Sequence, residues 1–354
     1  MNEQSIHNAD FVLEDLTRTL LYEGYALYPY HRSAIKNQKP IPFGVVYPQE
    51  YNKHNEHANS FMQTECIVTG NDPYLNVTIR FLHLVEVNVF KNETGTGDKN
   101  FEPCHSLHTG GKFYDEGWQT MERKIEIDCS VDSLCKEQKT NPFEFAGSNE
   151  EELIYKENQC IGKKEMIIQP MNGNIILKGL KIVQPANAFK ISIQINNESD
   201  VQNTKPLTRD EALQQSFLST HTILRTKDGK FISHQDVPAE WKQAVEQCNN
   251  INTYPILISE DDTTLLSSPI ILYDYPRINP HSPGDLFDSL EIEEALFLHV
   301  NMLSAEEKFR IAQNDDKLKA MLDKVGSLTQ NDLMNFHSYV KPEENLLVNQ
   351  KGNI

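Results

Sequence analysis

Between residues 42 and 198 the chain strings together seven β-type runs with no helical period between them, and this excludes most folds at once. The runs are "FGVVY" (43–47), "TECIVTG" (64–70), "LNVTIRFLHLVEVNVF" (75–90), "MERKIEIDCSV" (121–131), "EMIIQP" (165–170), "NIILKGLKIVQ" (174–184) and "FKISIQINN" (189–197). In the last of these Phe189, Ile191, Ile193 and Ile195 alternate with Lys190, Ser192, Gln194 and Asn196, which predicts one buried and one wet face. "MNGN" at 171–174 carries the Asn-Gly signal of a hairpin turn. Strands that follow one another without crossover helices favour antiparallel pairing over a doubly wound parallel sheet. The expected fold class is therefore α+β, with an antiparallel β-sandwich-like domain over residues 42–198 that two long polar insertions interrupt, at about 91–117 and 133–163.

The flanks read differently. In residues 1–41, Phe11, Val12, Leu16, Leu20 and Leu21 recur at helical spacing, with Asn8 or Asp10 as a cap and Gly24 as a stop, and a Tyr/Pro-rich loop follows. A linker is expected at 198–208, and then a mixed α/β region over 206–340. Its strands are expected at 219–226, 254–259 and 269–275, with a helix near 239–248 that contains Trp241. It closes in a helical hairpin: Ser282, Pro283 and Asp285 suit a helix's first turn, and "SAEE" at 304–307 is a capping box that opens a second helix. Residues 341–354 read as a flexible tail.

Charge narrows the partners. The 33 Lys+Arg against 51 Asp+Glu give a net charge of −18, which argues against nucleic acid or an anionic membrane and leaves a solvated acidic surface or an acidic docking face toward a basic partner. No apolar run approaches the roughly 20 residues of a membrane-spanning helix, so no membrane insertion is expected. The start "MNEQSIHNADFVLEDL" lacks the basic and apolar stretches of a signal peptide, and a cytoplasmic location is the expectation. In that compartment the six cysteines are thiols or ligands rather than disulfides.

Chemistry is sparse along the chain. "CHSLH" places Cys104, His105 and His108 together, with Cys129 and Cys135 downstream, as donors for a metal that needs about four soft or imidazole ligands. Cys66, Glu65 and His221 are further donors for the same alternative. The first pair spacing suits zinc, whereas Cys129 and Cys135 straddle the end of a predicted strand. Asp285, Asp288, Glu291 and Glu294 fall every third residue on the predicted helix; acids in the first turns suit the helix dipole, and adjacent members can meet as a two-carboxylate metal or docking site. Ser219 and His221 share one side of a strand at i and i+2, but no G-x-S-x-G elbow accompanies them, and no catalytic residue is assigned. Gly95 and Gly97 form neither a P-loop nor a dinucleotide fingerprint. "LYPYHRSAIKNQ" (27–38) sets a cationic, proline-stiffened loop on an acidic chain. There Tyr28, Tyr30, Arg32, Lys36 and Asn37 are candidate partner-binding residues, with Arg32 and Lys36 able to grip a carboxylate or phosphate.

At these residues the chain resembles an uncharacterised protein family encoded beside nickel–iron uptake hydrogenases in bacterial gene clusters. The stretches that carry the resemblance are "LLYEGYALYPYHRSAIKN", "FGVVYP", "QTEC", "FKISIQINN", "STHTIL" and "SPGDLFDSLEIEEAL", in one order from residue 20 to about 310. Where the family opening runs Tyr-Pro-Tyr-Arg, His31 here stands before Arg32. The resemblance implies a hydrogenase-associated accessory or assembly protein that docks a hydrogenase subunit or a maturation factor; no resident cofactor is predicted. The alternative it leaves open is a metal-dependent enzyme or a carrier of nickel, iron or zinc that uses Cys104, His105, His108, Cys129 and Cys135.

Overall fold

The computed structural model describes Leu13, Glu14, Leu16, Thr17, Leu20 and Leu21, and residues 43–92, 100–185, 187–201 and 206–276. The Tyr/Pro-rich loop, the helical hairpin and the tail lie outside the described residues. Residues Met1–Pro276 form one compact unit and Arg277–Ile354 a second, all of which lies outside the described residues.

The first unit is built on one 32-residue strand, β1 (Phe61–Asn92). The sequence reading divides this stretch in two at "GNDP", residues 70–73, which has the composition of a turn. Instead the strand turns a corner there. Three residues of β1 after Gly70 face the single Asp228 of the antiparallel partner β11 (Leu218–Phe231), so pairing resumes at Tyr74 with Lys227. Asp72 takes a left-handed φ of 69°, and a Cβ on Gly70 would stand 2.3 Å from the Asp228 carbonyl oxygen. This bulge shifts the inward set from Met62, Cys66 and Val68 to Leu75, Val77, Ile79 and Phe81, all in one buried cluster.

Before the corner β1 pairs with β10 (Ala188–Asn197), which pairs with β9 (Met171–Ile182), which pairs with β6 (Lys139–Phe145). After it β1 lies between β11 and β5 (Gly117–Ser130), and farther on it pairs with β2 (Phe101–Cys104) and β8 (Gln159–Ile168). β8 in turn holds β7 (Ser148–Lys156), and β11 holds β13 (Thr264–Ser268) and through it β12 (Tyr254–Leu257). A separate two-stranded ribbon joins β3 (Ser106–Thr109) to β4 (Lys112–Asp115). All of these pairings are antiparallel, so the unit is a large antiparallel sheet bent around its own core.

Ile175, Leu177, Ile191, Ile193 and Ile195 from one part of the sheet meet Leu75, Val77, Ile79, Phe81 and Leu224 from the other in that core. Burying each such side chain contributes about 1.5–3 kcal/mol. The opposite face of β1 is covered as well: Leu82, Leu84 and Leu218 pack with Leu21, while the helical residues Leu13, Leu16 and Leu20 are also buried. A strand buried on both faces reads as a near-continuous apolar run, as residues 77–87 do.

Several expectations need correction. "FGVVY" is not a strand; only Val46 forms a bridge, to Phe217. The Asn-Gly pair lies inside β9 rather than in a turn. Gly173 is there because a Cβ would come within 2.3 Å of the Asn196 carbonyl oxygen and press on Phe143 and Phe217. "PIILYDY" forms no strand, and β13 precedes it. The two polar insertions hold β2, β3, β4, β6 and β7, and the residues after Ser130 form a short helix, Val131–Lys136, capped by the Ser130 hydroxyl. A second short helix, Arg209–Gln214, opens on a full capping box between Thr208 and Glu211. Near 239–248 the chain forms a 3-10 turn, Ala239–Trp241, and the helix Lys242–Glu246. Strands β11 to β13 share one sheet with β1, so the sheet draws on both sides of residues 198–208.

Candidate functional site

Ionisable side chains gather where β1 and β11 pair beneath the N-terminal helical residues. Arg80, with a side chain only 6% exposed, gives Nη1 and Nη2 to the Glu14 carboxylate at 2.8 and 3.0 Å and Nε to Glu122 Oε1 at 2.7 Å. A buried guanidinium needs such forked partners, since an unpaired one would lose its hydration uncompensated. His221, paired with Arg80 across the strands, is fully buried. Its Nδ1 lies 2.7 Å from the Ser219 carbonyl oxygen, which fixes the proton on Nδ1 and leaves Nε2 to accept from the Ser268 hydroxyl at 3.3 Å. Burial first, and then the charge of Arg80, push the imidazole down to about 4, against the carbonyl's opposite pull.

The serine predicted to face His221 does something else. Ser219 sits at a bulge in β11 with a left-handed φ of 51°, and its hydroxyl donates to the Leu20 carbonyl oxygen at 3.2 Å. The hydroxyl–imidazole pair is instead formed by Ser268, 47 residues along the chain. Both its members are completely enclosed. The pair therefore pins β13 to β11 and presents no hydroxyl to a substrate. Ile270 also donates its N–H to the Ser268 hydroxyl, which ties down the exit from β13.

Two further polar centres are internal. His83 donates Nε2–H to the Gln169 carbonyl oxygen at 2.9 Å and accepts at Nδ1 from Arg123, whose guanidinium lies over the Phe145 ring. Burial and the neighbouring Arg123 charge lower His83 to about 4. Glu65 accepts from Lys190 Nζ at 3.0 Å and from the Asn249 N–H at 2.8 Å, clamping the 249–251 segment to β1. Beside it burial pushes the Cys248 thiol up to about 12 and raises Cys66, so neither is a ready thiolate.

The proposed metal donors are spread out. Cys104 ends β2, with a thiol raised by burial, and His105 next to it holds Glu116 through Nδ1 at 2.5 Å on a side chain 87% exposed. His108 stacks on Phe113 across the β3–β4 ribbon, with ring centroids 4.2 Å apart. Cys129 is buried at the end of β5, and Cys135 packs so tightly on Gly179 that an added Cβ would come within 2.9 Å of its sulfur. Among the described residues no three His, Cys, Asp or Glu side chains come together as a donor set for a metal ion. Also among them, no helix is long and apolar enough to cross a membrane. Tyr28, Tyr30, Arg32, Lys36, Asn37, Asp285, Asp288 and Glu291 lie outside the described residues.

Four stretches of the family resemblance meet in space. Phe43, Gly44 and Val46 exchange backbone hydrogen bonds with residues 217–220, "QTEC" pairs with β10, and Asn197 donates its side-chain amide to the carbonyl oxygens of Val46 and Gln215 at 2.9 and 2.8 Å. Arg80, His83 and Asn197, which carry much of this polar framework, escaped the sequence reading because they sit within apolar or alternating strands. The chain matches no protein-family model and no curated protein.

Proposed function

We propose that the protein is a non-catalytic accessory factor that docks a subunit or maturation partner of a nickel–iron hydrogenase. Its architecture in this reading is a β-sandwich-like body with an N-terminal helix and a C-terminal helical hairpin. The observation that carries the non-catalytic part is the engagement of the resemblance motifs within the fold. Ser219, His221 and Asn197 hold backbone and neighbouring strands together, and the Glu65 of "QTEC" holds Lys190 and Asn249. Motifs spent on packing define a scaffold, and recognition then belongs to its surface. The hydrogenase part rests on the resemblance alone.

The sheet's edges favour docking by side chains over addition of a partner strand. The end strands β6 and β12 carry Pro142 and Pro255, and β7 carries Glu150, Glu151 and Glu152, all devices that discourage edge-to-edge pairing. Capture of the tagged full chain from its native host, grown under hydrogen, tests the reading. Hydrogenase subunits or maturation proteins are expected to come along in stoichiometric amounts. Their absence, with the protein recovered alone, would contradict it.

A further inference from the structure

Past β13 the chain displays large apolar side chains on the surface. Ile271 and Tyr273, 69% and 67% exposed, alternate with the buried Leu272 and so share the outward side, and Tyr275 follows them at the surface. The run is held in place. Leu257 donates its N–H to Asp274 Oδ1 at 2.8 Å and accepts from the Tyr275 N–H at 2.7 Å, which lays residues 271–275 along the edge of β12 that β13 leaves open. Asp274 also accepts from the Ser233 hydroxyl, and Gln235 donates its amide to the Leu272 carbonyl oxygen. Tyr275 keeps a left-handed φ of 53° while its hydroxyl donates to Asp262 Oδ1 at 2.7 Å, a conformation that a bulky residue holds only where its neighbours dictate it.

Carboxylates gather at the Tyr275 end of this row. Burial first, and then Asp262, Asp274 and Asp236, push the Tyr275 hydroxyl above its ordinary range. Lys230 answers one of the three, with Nζ 3.6 Å from Asp262, and Asp236 is exposed. The wider stretch is acidic as well: residues 230–277 hold seven acids against Lys230, Lys242 and Arg277, the last of which lies outside the described residues.

We propose that the row of Ile271, Tyr273 and Tyr275 docks a basic segment of a partner protein, an arginine lying over the Tyr273 ring and an apolar neighbour against Ile271, with Asp236 and Asp262 setting its direction. The inference rests on the docking reading above and adds the surface and the partner's chemistry. Arginine is the side chain that suits both halves of the row, because its flat guanidinium stacks on an aromatic ring and pairs with carboxylates. Tyrosine and arginine also dominate the centres of protein interfaces. Charge complementarity selects the occupant, since a net charge of −18 draws a basic segment in and the local carboxylates outnumber Lys230 where it would end.

The test is photo-crosslinking of the full chain in its native host with Tyr273→p-benzoylphenylalanine. The expected product joins position 273 to a segment of another protein richer in Lys and Arg than in Asp and Glu. Adding Asp236→Lys should cut its yield about fivefold, while the thermal midpoint stays unchanged because that side chain is exposed. A crosslink within this chain or to a second copy, a product in a segment without excess basic residues, a yield indifferent to charge reversal, or no product would overturn the proposal. If the captured protein is basic at the joint but foreign to hydrogenase, the surface stands and the hydrogenase reading falls. If hydrogenase proteins co-purify while position 273 stays silent, the surface falls alone.

Discussion

Lowering the pH from 7 to 4.5 is expected to unfold this protein in a steep transition. His83, His221 and His234 are each held at about 4 in the folded chain, against 6.5 ordinarily, and burial is the largest cause in all three. The folded state thus binds fewer protons than the unfolded one in this window. Stability is complete above pH 6.5, falls as pH drops toward 4, and levels off below that. A shift of this size costs on the order of 2.5 kcal/mol per histidine at pH 4.5, and three of them together rival the whole stability of an ordinary domain. Urea midpoints measured between pH 7 and 4.5 check the expectation. His221→Gln should flatten the slope by one proton, and a wild-type midpoint independent of pH across this range would contradict the account.

Phe81→Ala is expected to be the most damaging single truncation considered, at about 3–5 kcal/mol. Phe81 is completely buried just after β1 turns its corner, and its ring meets those of Phe217, Phe145 and Phe143 at centroid distances of 4.7, 5.9 and 6.2 Å. Those rings come from β6 and from the lead-in to β11, elements far apart in the chain. The cavity would therefore open at the junction of the bent sheet, where neighbours fixed by strand pairing cannot collapse to fill it. The shift in urea midpoint relative to Leu180→Ser, an exposed control, measures the effect. A loss under about 1 kcal/mol would mean that the aromatic cluster is not what joins the two parts.

Local signals told the truth where one face of a strand was wet. The alternation in "FKISIQINN" gives β10 its inward and outward sets, and its only paired polar exception, Asn197, marks where the strand ends. Where strands are buried on both sides, the period vanishes and partners cannot be inferred. "GNDP" has the composition of a turn, yet its role is decided by Asp228 and Gly229, which are contributed from a distant part of the chain. "TLLSS" passed unread because its serines look solvent-loving, although Ser267 holds Thr64 and Thr253 and Ser268 holds His221 in the interior. The Thr208 capping box was legible as "TRDE", but a six-residue helix gives no apolar period to confirm it. Likewise Ser219 and His221 were correctly placed on one element, and only the bulge at Ser219, invisible in the composition, separates its hydroxyl from the ring.

Direct binding of purified components tests the proposed docking of hydrogenase proteins most plainly. Calorimetric titration of the full chain with each hydrogenase subunit and maturation protein of its native host should reveal one partner binding at about micromolar Kd or tighter. The affinity should weaken as salt rises, as expected of a charge-steered contact. Absence of measurable heat or complex at concentrations up to about 100 μM, for every one of those proteins, would contradict the account.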